Sequence, residues 1–338
     1  DHRDLHSFPT RRSSDLAGGI ASAHVEAIRQ IEQAVIVAIC DISLNRAEEF
    51  ASEAGVSNYY ATIADMVSEH IFDLVIICTW GVTHSKIGIE LAKSKRVRAI
   101  LCEKPFTQTA EQARELVSCT NNEGVLIAEA FKFRHHPMHI EAHRLISSGA
   151  IGKVFGVRST FCTNVDLANR RPELNWRFNE EQGGGSIYDL ACYNIHHARF
   201  IFGREPLHVF SSKVSGIEVD DAASIMLVFD GGRTAQISVG FDAWASQYAE
   251  ISGDQGIIFM DQAWNNENCA VQLILRNNGG EKRFEYPPQF QFVSQLNHMF
   301  SCIEGKCSHR IPAEHSEKQM WIMDAVKKSM DTGKVISL

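Results

Sequence analysis

No apolar run in the 338-residue sequence is long enough to cross a bilayer, which excludes a membrane protein built on spanning helices. Positive charge is not in excess: 33 Lys and Arg face 41 Asp and Glu, for a formal charge of −8. Phosphate backbones need a concentrated basic face, so nucleic acid is not an expected partner. Cys-x-x-Cys is missing although there are 9 cysteines. They are scattered, several within apolar strand-like runs such as Val35–Cys40, and read as buried thiols of a reducing, cytoplasmic compartment rather than as disulfides. Internal repeats and low-complexity linkers are also absent. What remains is a globular composition, 44% hydrophobic and 22% charged, in a chain long enough for two domains.

Residues 1–16 carry neither helix nor strand periodicity and run abruptly into a regular pattern at Ala17. Phe8–Leu16, FPTRRSSDL, reads as the conceptual translation of a common sequencing adapter. We therefore expect 1–16 to be a non-native or disordered leader, and the first strand of the following domain to be missing. The segment has no apolar core of the kind a signal peptide requires.

From Ala17 onward helix and strand alternate. Helical patterns at 20–30, 44–54, 84–94 and 110–120 separate strand patterns at 34–40, 71–78, 99–102 and 125–128. Strands apolar on both faces between helices predict a parallel, doubly wound sheet. After about residue 128 the pattern changes. A helix at 137–148 is followed by alternating strands at 154–161, 223–229, 234–240 and 272–276, with Asp230-Gly231-Gly232 and Asn277-Asn278-Gly279-Gly280 as turns. Such turns favour antiparallel hairpins. The expected organisation is a dinucleotide-binding α/β domain at 17–128 and an α+β domain at 129–338 with a large, mostly antiparallel open-faced sheet.

A dinucleotide site needs glycines where the first strand meets the first helix, so that backbone and helix N-terminus can approach the pyrophosphate. Gly18, Gly19, Ile20 and Ala21 fill the end of G-x-G-x-x-A, while Leu16 stands where the first glycine belongs. Asp41 follows about twenty residues later at the end of the next strand pattern, placed to accept from both ribose hydroxyls. Its charge disfavours a 2′-phosphate, so NAD is the expected cofactor. Arg46 leaves NADP open.

Several strings together resemble the glucose-fructose oxidoreductase, inositol dehydrogenase and rhizopine catabolism (Gfo/Idh/MocA) family. They are Gly18-Gly19-Ile20-Ala21, Cys102-Glu103-Lys104-Pro105, Glu129-Ala130-Phe131 through Arg134-His135-His136-Pro137, Ser148 to Gly152, and Gly183-Gly184-Gly185-Ser186-Ile187-Tyr188-Asp189. The resemblance is greatest to the branch that holds glucose-fructose oxidoreductase, NADP-dependent D-xylose dehydrogenases and dihydrodiol dehydrogenases. It implies an NAD(P)-dependent oxidoreductase acting on a sugar, polyol or cyclic diol, assembled as a homodimer or homotetramer through the C-terminal sheet. It places Gly18, Gly19, Ile20, Ala21, Asp41, Thr79, His84, Glu103 and Lys104 along the cofactor. It carries Lys104, Asp189 and Tyr193 onto the family's catalytic positions, the last of which holds histidine or tyrosine. The chain departs from the family pattern at Leu16, at Thr79-Trp80-Gly81 and at Ala191.

Oxidising an alcohol carbon needs a hydride acceptor on one side and a base for the hydroxyl proton on the other. Lys104 and Tyr193 ordinarily titrate near about 10, and a neighbouring cation or desolvation brings either toward neutrality. Tyr193 is assigned as proton donor and acceptor, Lys104 as its electrostatic partner and hydroxyl anchor. Asp189, four residues before Tyr193 and so on the same side of a helix, orients sugar hydroxyls and the lysine. Asn164, Trp176, Arg177 and His196 are expected to contact substrate, Arg170 and Arg171 being equally well explained as a solvated basic loop. His135, His136, His139 and His143 have helical spacing for a metal, but no acidic third ligand accompanies them and the chemistry needs none, so no metal is expected. A non-catalytic dinucleotide-binding sensor is the competing function for the same fold.

Overall fold

The computed structural model describes residues 3–8 and 17–338. The chain divides into two compact units, Asp1–Phe131 with Phe292–Met320, and Lys132–Gln291 with Trp321–Leu338. No helix among the described residues is long and apolar enough to cross a membrane.

Unit 1 alternates β1 (Arg3–Phe8), α1 (Ala17–Arg29), β2 (Ala34–Cys40), α2 (Leu44–Ala54), β3 (Asn58–Tyr60), α3 (Ile63–Glu69), β4 (Phe72–Ile77), α4 (Gly81–Lys93), β5 (Val97–Cys102), α5 (Ala110–Glu123) and β6 (Leu126–Glu129). The strands form one sheet in the order β3-β2-β1-β4-β5-β6, and every pairing is parallel. β4 is buried along almost its whole length, as expected of a central strand covered by helices on both faces. Local chemistry sets the helix ends. The Thr109 hydroxyl accepts from the Gln112 amide at 3.3 Å to start α5, and Gly124 at φ +69° stops it before β6.

The strand expected to be missing is filled. Arg3–Phe8 lies between β2 and β4, with Leu5 beside both Ile36 and Leu74. The edges of β2 and β4 present backbone groups that any extended segment can satisfy, so the slot does not require a particular side-chain pattern. Residues 1–2 and 9–16, including Leu16 at the first-glycine position, lie outside the described residues.

Unit 2 begins with α6 (Pro137–Ser147) and β7 (Val154–Asn164), and passes through a π-helical turn, Ile187–Ala191, into α7 (Cys192–Phe202). Strands β8 (His208–Ser215), β9 (Asp220–Val228), β10 (Thr234–Gly240), β11 (Asp242–Ser246), β12 (Ala249–Gly253), β13 (Gly256–Met260), β14 (Val271–Asn277) and β15 (Gly280–Tyr286) follow. After α8 (Gln291–Ile303) and α9 (Ala313–Thr332), β16 (Ile336–Ser337) closes the chain. The sheet runs β15-β14-β13-β12-β7-β10-β9-β8-β16, with β11 pairing β7. Both predicted turns make antiparallel hairpins, β9–β10 and β14–β15. The exception to the antiparallel expectation is β10 beside β7, which is parallel.

One face of this sheet is buried and carries Val157, Ser159 and Phe161 of β7 and Ala235, Ile237 and Val239 of β10. The segment 292–320, expected in the second domain, belongs to unit 1. Its helix α8 buries Phe292, Leu296, Met299 and Phe300, and Phe292 meets the His24 ring of α1 edge-on at 5.0 Å.

Candidate active site

In unit 1 the cofactor side is built at the C-terminal ends of the strands, where doubly wound sheets bind ligands. Gly18, Gly19, Ile20 and Ala21 form the first turn of α1. A helix N-terminus of this kind offers backbone amides to an anion, and a Cβ on Gly19 would meet nothing within 4 Å among the described residues. Asp41 follows β2, is 5% exposed, and accepts from the Ser43 amide at 2.8 Å and Arg46 Nη2 at 2.5 Å. It borders a cavity of about 510 Å³ whose wall includes Ile42, Thr62, Thr79, Trp80 and Ile87. That volume is in the range of cofactor and small-ligand pockets. Two buried donors, Trp80 Nε1 and Arg46 Nε, have no hydrogen-bond partner among the described residues. An apolar cleft bordered by the Asp41 carboxylate and the Trp80 indole fits the adenosine half of a dinucleotide.

The loops around the cavity are tied together by buried polar groups. His84 is fully buried, with Nε2 2.8 Å from the Thr79 carbonyl and Nδ1 3.0 Å from that of Pro105. Burial pushes its pKa down, against the opposing pull of those carbonyls and of Glu103. Its role in this structure is to join the loop after β4 to the loop after β5. Glu103 likewise faces inward: Oε1 lies 2.8 Å from His24 Nε2 on α1, and Oε2 accepts from the Lys104 amide at 3.2 Å. The Lys104–Pro105 peptide is cis, and the Phe106 amide donates to Glu129 Oε1 at 3.0 Å. Lys104 itself is half-buried on this braced turn. Glu129 entered the sequence reading only as part of the Glu129-Ala130-Phe131 string, and His24 not at all, since a lone histidine in a helix has no local signature.

In unit 2 the three glycines set the local packing around the expected substrate residues Trp176 and Arg177. A Cβ on Gly184 would sit 2.5 Å from the Arg177 carbonyl oxygen, and Gly185, at φ +109°, would clash with Asp220 Oδ1 at 2.5 Å. The segment Trp176–Phe178 can therefore pack directly against the glycine backbone. Asp220 then caps the π-helical turn, accepting from the Ser186 hydroxyl at 2.5 Å and the Ile187 amide at 3.1 Å. Burial raises its pKa to about 6 despite those bonds.

Asp189 lies in that turn, 4% exposed, and takes Arg177 Nε at 2.7 Å. Arg177 Nη1 and Trp176 Nε1 are buried donors with no hydrogen-bond partner among the described residues, and the guanidinium stands 4.9 Å over the Trp176 ring. Tyr193, in the first turn of α7, is 6% exposed within an aromatic cage of Phe161 at 5.4 Å, Phe133 at 5.8 Å and Trp264 at 6.2 Å. Trp264 is fixed by Nε1 donating to the Thr160 carbonyl at 2.8 Å.

The other expected substrate residues are placed differently. Asn164 is exposed at the end of β7, opposite Asp242 of β11. His196 is 1% exposed and its Nε2 accepts from Arg134 Nη1 at 2.7 Å, an interaction internal to unit 2. Arg170 is occupied by the Val165 carbonyl at 2.8 Å and Asp221 at 3.7 Å. His197 is buried against Trp264 at 5.3 Å, and burial with the Arg134 charge lowers its pKa to about 3. The helical histidines diverge. His136 Nδ1 caps α6 through the Met138 amide, His139 Nε2 contacts the Ala263 carbonyl at 2.6 Å, and His143 stacks on Phe200 at 4.7 Å.

A Rossmann unit with an open dinucleotide cavity, followed by a unit carrying buried polar groups under an open sheet, defines a nicotinamide-dependent oxidoreductase of two units. Comparison with known proteins gives the same class. Residues 17–131 match the oxidoreductase family with the NAD-binding Rossmann fold, and residues 139–259 match the GFO/IDH/MocA C-terminal domain. The chain belongs to the Gfo/Idh/MocA family and is an NAD(P)-dependent oxidoreductase. It is 26% identical over 295 residues to D-xylose 1-dehydrogenase (NADP(+)) 2 of Haloferax volcanii, covering 87% of this chain and 89% of that protein. It is also 26% identical over 309 residues to trans-1,2-dihydrobenzene-1,2-diol dehydrogenase of Mus musculus, covering 87% and 88%. Among solved structures, aldose-aldose oxidoreductase from Caulobacter crescentus, complexed with glycerol, superposes with a TM-score of 0.88 at 20% identity over 100% of both chains.

Proposed function

We propose that the chain is a dehydrogenase or reductase of a sugar, polyol or cyclic diol, with NAD as the preferred cofactor. The observation that carries the substrate class is the pair of buried donors Trp176 Nε1 and Arg177 Nη1, which have no hydrogen-bond partner among the described residues, Arg177 also holding the Asp189 carboxylate. Buried donors are rarely left unmatched, and hydroxyl oxygens of a polyhydroxylated molecule would satisfy them. The relatives named for D-xylose and for a dihydrodiol support the same class. Asp41 carries the cofactor preference, since a carboxylate accepts from ribose hydroxyls and repels a 2′-phosphate.

In this reading Tyr193 takes the hydroxyl proton during oxidation and returns it during reduction. Lys104 holds the reacting oxygen and favours the ionised tyrosine, and Asp189, fixed by Arg177, orients neighbouring hydroxyls. Hydride acceptance and donation are the chemistry the dinucleotide supplies when bound. The test is a spectrophotometric screen of aldoses, inositols and cyclic diols with NAD and NADP. For Tyr193→Phe we expect kcat to fall by about 10²–10⁴, the usual worth of a general acid or base, with KM little changed. Turnover that survives the substitution would remove Tyr193 from the mechanism.

We also infer a homodimer or homotetramer built on the outer face of the unit 2 sheet, in a cytoplasmic setting. The face exposes Phe210 and Met226 on paired strands together with Trp244, which is 87% exposed. All 9 cysteines are free thiols, in keeping with a reducing compartment.

A further inference from the structure

One cluster of metal-ligating side chains lies in unit 1, outside the cofactor cavity. His298 and Cys302 are four residues apart on α8 and so share a face of the helix. The helix then ends in a turn in which the Gly305 amide donates to the Cys302 carbonyl and the Lys306 amide to the Ser301 carbonyl, both at 2.9 Å, with Gly305 at φ +73°. This turn brings Cys307 back over the last helical residues. The sulfurs of Cys302 and Cys307 are 3.6 Å apart, and Cys302 Sγ is 3.7 Å from His298 Nε2. One ligand atom from each of the three residues falls within 4.8 Å of the others, the only such group among the described residues.

We propose that His298, Cys302 and Cys307 form a site for a thiophilic divalent cation of the Zn²⁺ class. With Zn–S near ~2.3 Å and Zn–N near ~2.0 Å, tetrahedral geometry puts two sulfurs ~3.8 Å apart and sulfur and nitrogen ~3.5 Å apart. The observed 3.6 and 3.7 Å match two edges of that frame, and Cys307 Sγ, now 3.9 Å from His298 Nδ1, closes the third by a side-chain rotation at the exposed Cys307, with the helix unchanged. Two thiols and an imidazole select a soft or borderline ion over Mg²⁺ or Ca²⁺, which prefer oxygen. Binding displaces one proton from each thiol to solvent, and the His298 Nε2 lone pair exchanges the Arg310 amide, now 3.1 Å away, for the ion. Cys307 is exposed, so water completes the fourth position.

The location points to a structural task. The turn sits at the N-terminal end of the unit 1 sheet, where Arg98 Nη2 donates to the Ile303 carbonyl at 3.2 Å. A cavity of about 670 Å³ there is walled by Val97, Leu126, Cys302 and Ile303. The cofactor cavity lies at the opposite, C-terminal ends of the strands. The ion would therefore pin the end of α8 to its own turn and leave hydride transfer alone.

The experiment uses the full chain, purified under reducing conditions, stripped with a chelator and titrated with Co²⁺. Expected are a single equivalent bound, a thiolate-to-cobalt charge-transfer band in the near ultraviolet, visible bands of tetrahedral intensity, and displacement by Zn²⁺. Cys302→Ser and Cys307→Ser should each weaken binding by more than about 100-fold, beyond what losing an outer hydrogen-bond partner costs. Cys269→Ser, at an exposed cysteine outside the cluster, should retain it, and circular dichroism confirms that all variants are folded. Absence of the charge-transfer band, its survival in the Cys302→Ser/Cys307→Ser double variant, or a Cys302–Cys307 disulfide in protein isolated with Zn²⁺ present would overturn the proposal.

Discussion

Asp41 shows how one side chain can serve two masters at the residue scale. Its carboxylate is held by Arg46 at 2.5 Å and by the Ser43 amide at 2.8 Å, so the charge that would repel a 2′-phosphate also restrains the arginine that would attract one. In Asp41→Ala the repulsion goes and Arg46 is released. We expect the ratio of kcat/KM values to shift toward NADP by roughly ten- to hundredfold, the equivalent of about 1.5–3 kcal/mol for charge-assisted hydrogen bonds. Steady-state kinetics with both cofactors measures it, and an unchanged ratio would remove Asp41 from cofactor selection. Asp189 follows the same logic on the substrate side. Its bond to Arg177 fixes a buried carboxylate while Arg177 Nη1 has no hydrogen-bond partner among the described residues.

At the scale of elements, the π-helical turn and α7 form a support for the candidate catalytic residues. Every residue of α7 except Phe200 is buried. Its polar residues Asn194, His196, His197 and Arg199 are buried along with the apolar ones, so no solvent-facing polar stripe advertises its orientation, and it takes its position from packing. Burying a ring such as Trp264 or Phe133 contributes about 1.5–3 kcal/mol each, which is what such packing can offer against the cost of burying Asp189 and Asp220.

Asp220 gives this element a pH signature. Its pKa is raised from 3.8 to about 6 by burial, so between those values the folded chain binds more protons than the unfolded one. Stability from this group is therefore full below 3.8 and is lost as pH rises through about 6, with a span of ~3 kcal/mol. Asp220→Asn should flatten the stability profile between pH 4 and 6 relative to the parent. Thermal unfolding across that window checks it, and parallel profiles would show that Asp220 does not titrate there.

At the scale of the whole molecule, the outer face of the unit 2 sheet sets the expected assembly. Cross-strand register aligns Phe210 with Met226, then Gln236, Arg158 and Glu250, so the open face is a row of mixed apolar and polar side chains. Such a surface is suited to a symmetric partner that supplies the same row in reverse. We expect light scattering to report a dimer or tetramer at micromolar concentration, and Phe210→Asp with Met226→Asp to yield a smaller species that remains folded. A monomeric parent chain would sink the assembly, and with it the role given to this face.

Much of this molecule is legible in its sequence because the physics is local. Apolar runs separated by helical periods specified the parallel sheet, and Asp-Gly-Gly and Asn-Gly turns marked hairpins that formed. Motif spacing pointed to Asp41, and the family resemblance to Glu103, Lys104, Asp189 and Tyr193, before any coordinates. Tertiary structure decided what each touches. His84 bonds to loop carbonyls, His196 accepts from Arg134, Asp220 reaches 34 residues along the chain to cap the turn of Asp189, and α8 returns to the first unit. The segment Arg3–Phe8 could not be read as a strand because the bonds that hold it are backbone bonds to β2 and β4, which leave no imprint on its own side chains. Sequence determines what each segment can form with its near neighbours. Contacts between distant segments fix which of its polar groups are spent on the fold and which are left for chemistry.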